Sequence, residues 1–265
     1  METIILGYDG SQAALSALEW VADRAKSREV AAHIVGVDDV THARPEVSAH
    51  VTEGRDRLRS LAPSTVVEGH VVRGGMPNAF TDAVPGADLL VVGAHRDKPI
   101  RSALMGFVPL RVILRSPLPV YVVPDGWSRV QGPVVVGFDD DGSSDAAVAY
   151  GCREASSSGQ SLRIVHAWQP ALTDAEEDRA IHEAALHGAA AQARAIEPKL
   201  VVDARFSRGD AASVLAHEST EASLVVIGTH RRGVWMGGLL GSVVWYLTGA
   251  ITVPLCVVPP VETDR

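Results

Sequence analysis

The chain repeats itself, and no other feature constrains its fold as strongly. The opening segment I-I-L-G-Y-D-G-S, Ile4 to Ser11, returns as V-V-V-G-F-D-D-D, Val134 to Asp141, an offset of 130 residues that matches Gly7 with Gly137 and Asp9 with Asp139. Later segments return at an offset of 135: V-V-G-A-H-R, Val91 to Arg96, as V-I-G-T-H-R, Val226 to Arg231, and S-P-L-P-V-Y-V-V-P, Ser116 to Pro124, as I-T-V-P-L-C-V-V-P, Ile251 to Pro259. Five extra residues therefore enter the second copy between Ala167 and Arg208. The 265 residues divide into two domains, 1–127 and 131–261, with a join near Arg129, where Asp-Gly, Ser and Arg interrupt two apolar runs.

Within each copy, short runs rich in Val and Ile alternate with longer helical patterns. Thr3–Tyr8, Val30–Val37, Val66–Val72, Asp88–Gly93 and Val120–Val123 read as strands of the first copy. The second copy offers Val134–Phe138, Leu162–Ala167, Leu200–Phe206, Leu224–Gly228 and Leu255–Val258, with a long alanine-rich helix from Asp174 to Ile196. Ala14, Leu15, Leu18, Val21, Ala22 and Ala25 recur at helical spacing behind Ser11, a natural N-cap. Alternation of this kind predicts an α/β fold: two tandem Rossmann-like or flavodoxin-like domains, each a five-stranded mostly parallel sheet flanked by helices. Ligands of such sheets bind beyond the carboxyl ends of the strands, where strand order reverses, and Asp9, Asp139, Gly93 and Gly228 fall at such ends.

Charge and composition narrow the partners. A net charge of −8 argues against broad adhesion to nucleic acid or to an anionic membrane, each of which needs a concentrated positive field. No stretch approaches the length of apolar sequence that a membrane helix requires, and the start lacks the pattern of a signal peptide, so a cytoplasmic location is expected. Cys152 and Cys256 are too few and too distant for a disulfide framework or a zinc site, and read as small buried residues.

The most informative segment is G-T-H-R-R-G-V-W-M-G-G-L-L-G-S, Gly228 to Ser242, a glycine-rich loop that leaves a strand and enters a helix. Glycine lets backbone approach an oxyanion, and a helix opening at Gly241-Ser242 would aim free N–H groups and a hydroxyl at it. The spacing resembles the motif of the universal stress protein family: glycine, two residues, glycine, nine residues, then glycine with serine or threonine. Gly228, Gly241 and Ser242 fit, and Arg231 stands at the second glycine. The starts and endings of both copies are similar to the family as well.

The resemblance implies ATP as the ligand; the acidic run Asp139-Asp140-Asp141 sends consecutive side chains in different directions, so Mg²⁺ carried by the nucleotide is expected rather than a metal held by protein groups alone. It implies Asp139 near the adenosine, backbone at Ala167 beside the adenine, and Gly228, Gly241, Ser242 and Val243 around ribose and phosphates; His230 and Arg231, the latter a departure from the motif, join the candidate set as residues of the same loop. In the first copy Asp9, Val37, Gly93, Arg96 and Gly106 take the matching places, but Arg96 again replaces glycine and Phe107 stands where serine or threonine belongs. Pro109 removes one N–H from the turn that would grip phosphate, so the second site is expected to bind ATP better. Each arginine could crowd its loop or pair with phosphate oxygens.

Bland readings stand beside these. Asp9 and Asp139 are also the residues a turn after a strand favours, and His95 and His230 suit loop packing better than catalysis. Trp235, Met236, Trp245 and Tyr246 form an aromatic-rich cluster around the second loop, expected to pack, with a lid over nucleotide or a contact surface as the alternatives. The family resemblance further implies an intramolecular pair of domains, with the last strands meeting, and leaves a homodimer and an unknown protein partner open. A stress-response regulator that binds ATP is the leading function. Its rivals are an interaction scaffold without nucleotide and a slow ATPase, and against the last stand the missing G-x-x-x-x-G-K-[ST] and G-x-G-x-x-G loops and the lack of a paired acid and base.

Overall fold

The structure, a computed structural model, describes residues 1–38, 44–75, 78–95, 108–140, 144–169, 175–229 and 242–260. The chain divides into two compact units, Met1–Arg129 and Val130–Arg265. In the first, β1 (Glu2–Gly7), α1 (Gln12–Arg24), β2 (Val30–Asp38), α2 (Arg44–Leu61), β3 (Val66–Arg73), α3 (Asn78–Ala83), β4 (Leu89–Ala94), α4 (Val108–Arg115) and β5 (Val120–Pro124) follow in turn. The second repeats the order with β6 (Val134–Phe138), α5 (Ser144–Ser158), β7 (Leu162–Trp168), α6 (Ala175–Ile196), β8 (Val202–Arg208), α7 (Ala211–Glu218), β9 (Leu224–Gly228), α8 (Ser242–Ala250) and β10 (Leu255–Val258).

Strand order is β3-β2-β1-β4-β5 in the first unit and β8-β7-β6-β9-β10 in the second. The described pairings within each unit are all parallel. Each unit is therefore a doubly wound α/β sheet whose order reverses beside its first strand, between β1 and β4 and between β6 and β9. Parallel strands covered on both faces must be apolar throughout, and the central residues Ile4, Ile5, Leu6, Leu90, Val135, Val136 and Val226 are fully buried.

Side-chain alternation decides which helix covers which face. A Cβ added at Gly36 would meet Val47 and Val51 of α2, and one at Gly69 would meet Val51, so these positions face α2. Gly7 faces the other side, where its missing Cβ leaves room for the Phe80 ring of α3 at 3.0 Å. Gly137 does the same for Leu215 of α7 at 2.9 Å. Gly93, near the end of β4, lies closer still: a Cβ there would stand 2.2 Å from the backbone of Ala13, so the start of α1 rests directly on the strand.

Local signals explain the element ends. Ser11 caps α1, its hydroxyl accepting from the Ala14 amide at 3.2 Å. Asp210 caps α7 through the Ser213 amide. The expected strand from Leu200 begins instead at Val202, because Leu200 donates to the Glu197 carbonyl at 3.0 Å and closes a turn off α6. The helix before it has 22 residues against 18 in α2, so most of the second copy's extra length is one added helical turn.

Arg24, almost wholly buried, is held by Glu2 through Nε at 2.6 Å and Nη2 at 2.8 Å, and lies over the rings of Trp20 and Tyr121. Cys152 and Cys256 are both buried, and burial pushes the Cys152 thiol up to about 11. Trp245 and Tyr246, expected to pack, are instead 42% and 43% exposed, since they take the outer positions of α8 while Val244 and Leu247 take the inner ones. Among the described residues, no helix is long and apolar enough to cross a membrane.

Two glycines of opposite character test this account. Gly93→Ala forces a methyl into the Ala13 backbone and is expected to cost about 3 kcal/mol. Gly188→Ala, in α6 where an added Cβ meets nothing, is expected to gain about 0.8 kcal/mol. Urea unfolding of the two variants should move the midpoint in opposite directions.

Candidate functional site

In the second unit the strand order reverses between β6 and β9, the place where sheets of this kind open a crevice beyond their strand ends. Asp139 follows β6 directly. Its amide donates to the Ser144 hydroxyl at 2.8 Å, and its Oδ1 accepts from the Asp140 amide at 3.0 Å. Ser144, the first residue of α5, is buried, so the turn that carries Asp139 is fastened to the helix it precedes. The carboxylate itself is exposed.

Beside it, β7 outruns its neighbour. The last β6–β7 pair is Phe138 with His166, so Ala167 and Trp168 continue past the end of β6 while still pairing with Ser207 and Arg208 of β8. Backbone at Ala167 therefore lines the crevice edge. Trp168 is fixed by its indole N–H, which donates to Asp178 of α6 at 2.8 Å, and its ring neighbours that of Phe206. Gly228 ends β9, after which the Thr229 amide donates to the Val258 carbonyl. Ser242 is the exposed first residue of the nine-residue α8, followed by the half-buried Val243. A helix of that length presents unpaired N–H groups and a positive dipole end at Ser242. His230, Arg231 and Gly241 lie outside the described residues.

The first unit uses the same positions differently. Asp9 follows β1 with its Oδ1 accepting from the Ser11 amide at 2.9 Å, an Asx turn that leads into the capped helix. Val37 is the penultimate residue of β2, paired with Val72 beyond the end of β1. Gly93 supports α1, as described, while Arg96 and Gly106 lie outside the described residues. Pro109 is the second residue of α4, a position where a missing N–H does no harm to the helix. His95, just past β4, sits 3.4 Å from the Asp125 carboxylate, which serves to hold two strand ends together. His50 of α2 closes over the loop: a Cβ on Gly10 would fall 2.8 Å from its ring.

Ser144, Trp168 and His50 escaped the sequence reading because each reaches the crevice from a neighbouring helix or strand end. A serine near a helix start is the only one of these with a recognisable signal. Tyr8, next to Asp9, is a further case. It is buried against Gly54, its hydroxyl has no hydrogen-bond partner among the described residues, and burial, with Glu53 adding to it, pushes its pKa up to about 12. Phe138 holds the matching place in the second unit.

Comparison with known proteins adds to this geometry. The model of the universal stress protein family matches the chain twice, over residues 1–124 and 132–259. A universal stress protein of Mycobacterium tuberculosis is 30% identical over 270 residues, spanning 91% of this chain and 90% of its own. One from Mycolicibacterium smegmatis is 25% identical over 284 residues, spanning 97% of each. Among solved structures, a universal stress protein from Archaeoglobus fulgidus superposes with a TM-score of 0.74 at 18% identity, spanning 97% of this chain and 98% of that one.

The unpartnered hydroxyl gives a prediction. Tyr8→Phe is expected to raise stability by up to about 1 kcal/mol, since only a desolvated polar group is lost. Because the folded pKa lies above the unfolded value of 10.0, the unfolded state releases the phenolic proton first, so the native protein should lose stability as pH rises from 10.0 towards about 12. Denaturation curves across that window should show the loss in the parent and a smaller one in the variant.

Proposed function

The chain belongs to the universal stress protein family through both of its halves, and on that premise we propose that it binds ATP at the carboxyl edge of the second sheet. What supports this reading is that Asp139, an exposed residue, follows β6 at the strand-order reversal, that Ala167 on β7 runs past the end of β6, and that Ser242 opens the helix that comes after β9. A carboxylate suits ribose hydroxyls, a strand edge suits the hydrogen-bonding face of adenine, and a helix N-terminus suits phosphate. Gly228, His230, Arg231, Gly241 and Val243 complete the proposed set by their places in the loop sequence, and Mg²⁺ would arrive on the phosphates. Asp9, Val37, Gly93, Arg96 and Gly106 form a weaker counterpart, because Phe107 and Pro109 reduce the donors offered to phosphate.

In this reading the protein is a stress-response regulator whose conformation or partner choice follows nucleotide occupancy, which requires unequal affinity in two states. A scaffold without nucleotide is the second reading, supported by the exposed Trp245 and Tyr246 on α8, side chains suited to a protein contact.

Calorimetric titration of nucleotide-stripped protein with ATP, with and without Mg²⁺, tests the choice. Saturation by a single ATP per chain is expected, abolished in Gly241→Glu and weakened about tenfold or more in Asp139→Ala. Gly106→Glu should leave that binding intact. No binding at ATP up to about 1 mM would favour the scaffold, and tighter binding in the first half would overturn the assignment.

A further inference from the structure

Away from either crevice, three ligand-type side chains converge on the first sheet. His33 of β2 pairs in register with Glu68 of the edge strand β3, and His70 follows two residues later on the same face. His33 Nδ1 lies 3.0 Å from His70 Nε2. Glu68 Oε2 lies 3.6 Å from the first nitrogen and 3.7 Å from the second. These three atoms form a triangle with a circumscribed radius of about 2.0 Å, so an ion about 0.6 Å out of its plane would be about 2.1 Å from all three. That is the bond length of zinc to imidazole nitrogen and carboxylate oxygen.

We propose that His33, Glu68 and His70 form a binding site for a borderline divalent transition-metal ion, Zn²⁺ above all, with a coordination position left to water. Two imidazoles and one carboxylate select such ions over Mg²⁺ or Ca²⁺, which prefer oxygen. The groups can be reached: side-chain exposure is 17% at His33, 29% at His70 and 56% at Glu68. Burial, reinforced by His70 and opposed by Glu68, lowers the His33 pKa and favours the neutral ring a metal requires.

The second unit supplies an internal comparison. Arg163, Asp203 and Arg205 occupy the same three positions, with Arg163 in register with Asp203. There the buried Glu218 of α7 accepts from Arg163 at 2.9 Å and from Arg205 at 3.1 Å, and the cluster is closed by ion pairs. Guanidinium groups stay protonated and cannot ligate. In the first unit Ala83 stands at the place of Glu218, and lone-pair nitrogens replace the cations. Zinc would bridge β2 to the edge strand in place of the salt-bridge cluster.

The test uses the full chain, untagged and chelator-treated, titrated with Zn²⁺ by calorimetry and with Co²⁺ by visible absorption. One saturable Zn²⁺ per chain is expected, undisturbed by excess Mg²⁺, together with Co²⁺ ligand-field bands and a melting temperature that rises with Zn²⁺. His70→Gln and His33→Gln should each weaken binding by tenfold or more, and Glu68→Gln should also weaken it. Far-UV circular dichroism verifies that the variants remain folded. His182→Gln, in the separate His182–Asp178 pair on α6, should change nothing. Zn²⁺ affinity unaltered in folded His70→Gln, or no binding by the parent at about 100 µM Zn²⁺, would overturn the proposal.

Discussion

Each half depends on one contact that recurs in both: a glycine in the central strand against which a helix seats a large side chain. Phe80 lies on Gly7 beside Val92, and Leu215 lies on Gly137 beside Ile227. A Cβ at either glycine would press on the tip of the Phe80 ring or on the end of Leu215, so the side chain that covers the middle of the sheet would have to shift. Two residues later the chain reaches Asp9 or Asp139 and turns into the next helix. The seating of α3 or α7 thus fixes the strand from which the candidate site departs, and the first helix approaches from the opposite face, most closely at Gly93 in the first half.

Much of this was legible in the sequence for a physical reason. Parallel strands buried on both faces must be short apolar runs, so their number and order survive in the residues, as do the Ser11 cap and the repeat itself. Legibility ended at two kinds of place. Strand ends depend on turns such as that of Glu197 to Leu200, which a run of apolar residues conceals. Contacts formed by topology were also hidden: nothing in the sequence places Trp168 against Asp178, or His33 against Glu68 and His70, since the side chains meet only after the sheet has formed. The candidate nucleotide residues were readable because Gly228 to Ser242 is a local motif.

The halves have kept the scaffold and exchanged its fillings. Gly36 in β2 admits Val47 and Val51, whereas the matching His166 in β7 is buried, hydrogen-bonded through Nδ1 to the Phe138 carbonyl and stacked on His182 of α6. Tyr8 leaves a desolvated hydroxyl where Phe138 leaves none. At the crevice, Asp9 is engaged in building an Asx turn, while the Asp139 turn is fastened through Ser144, a serine at the helix start. Where an exchange alters volume the covering helix compensates, with α2 placing Val47 and Val51 over Gly36 and α6 stacking His182 on His166.

The exchange on the far face of the sheet shows that compensation most clearly. In the second half the buried Glu218 accepts from Arg163 and from the 40% exposed Arg205, with Asp203 and Glu221 also beside these arginines, so removing that acid would cost the cluster its buried acceptor without stripping it of negative charge. In the first half Ala83 stands at the place of that acid, and His33 and His70 stand at the places of Arg163 and Arg205. Imidazole, unlike guanidinium, carries no permanent charge, so histidines at these positions do not require an acid where Ala83 stands. His33 lies four residues before Val37, about 13 Å back along the strand from the crevice. A change of charge state there can therefore be accommodated without disturbing the turn at Asp9, which separates the chemistry of the sheet face from that of its carboxyl edge.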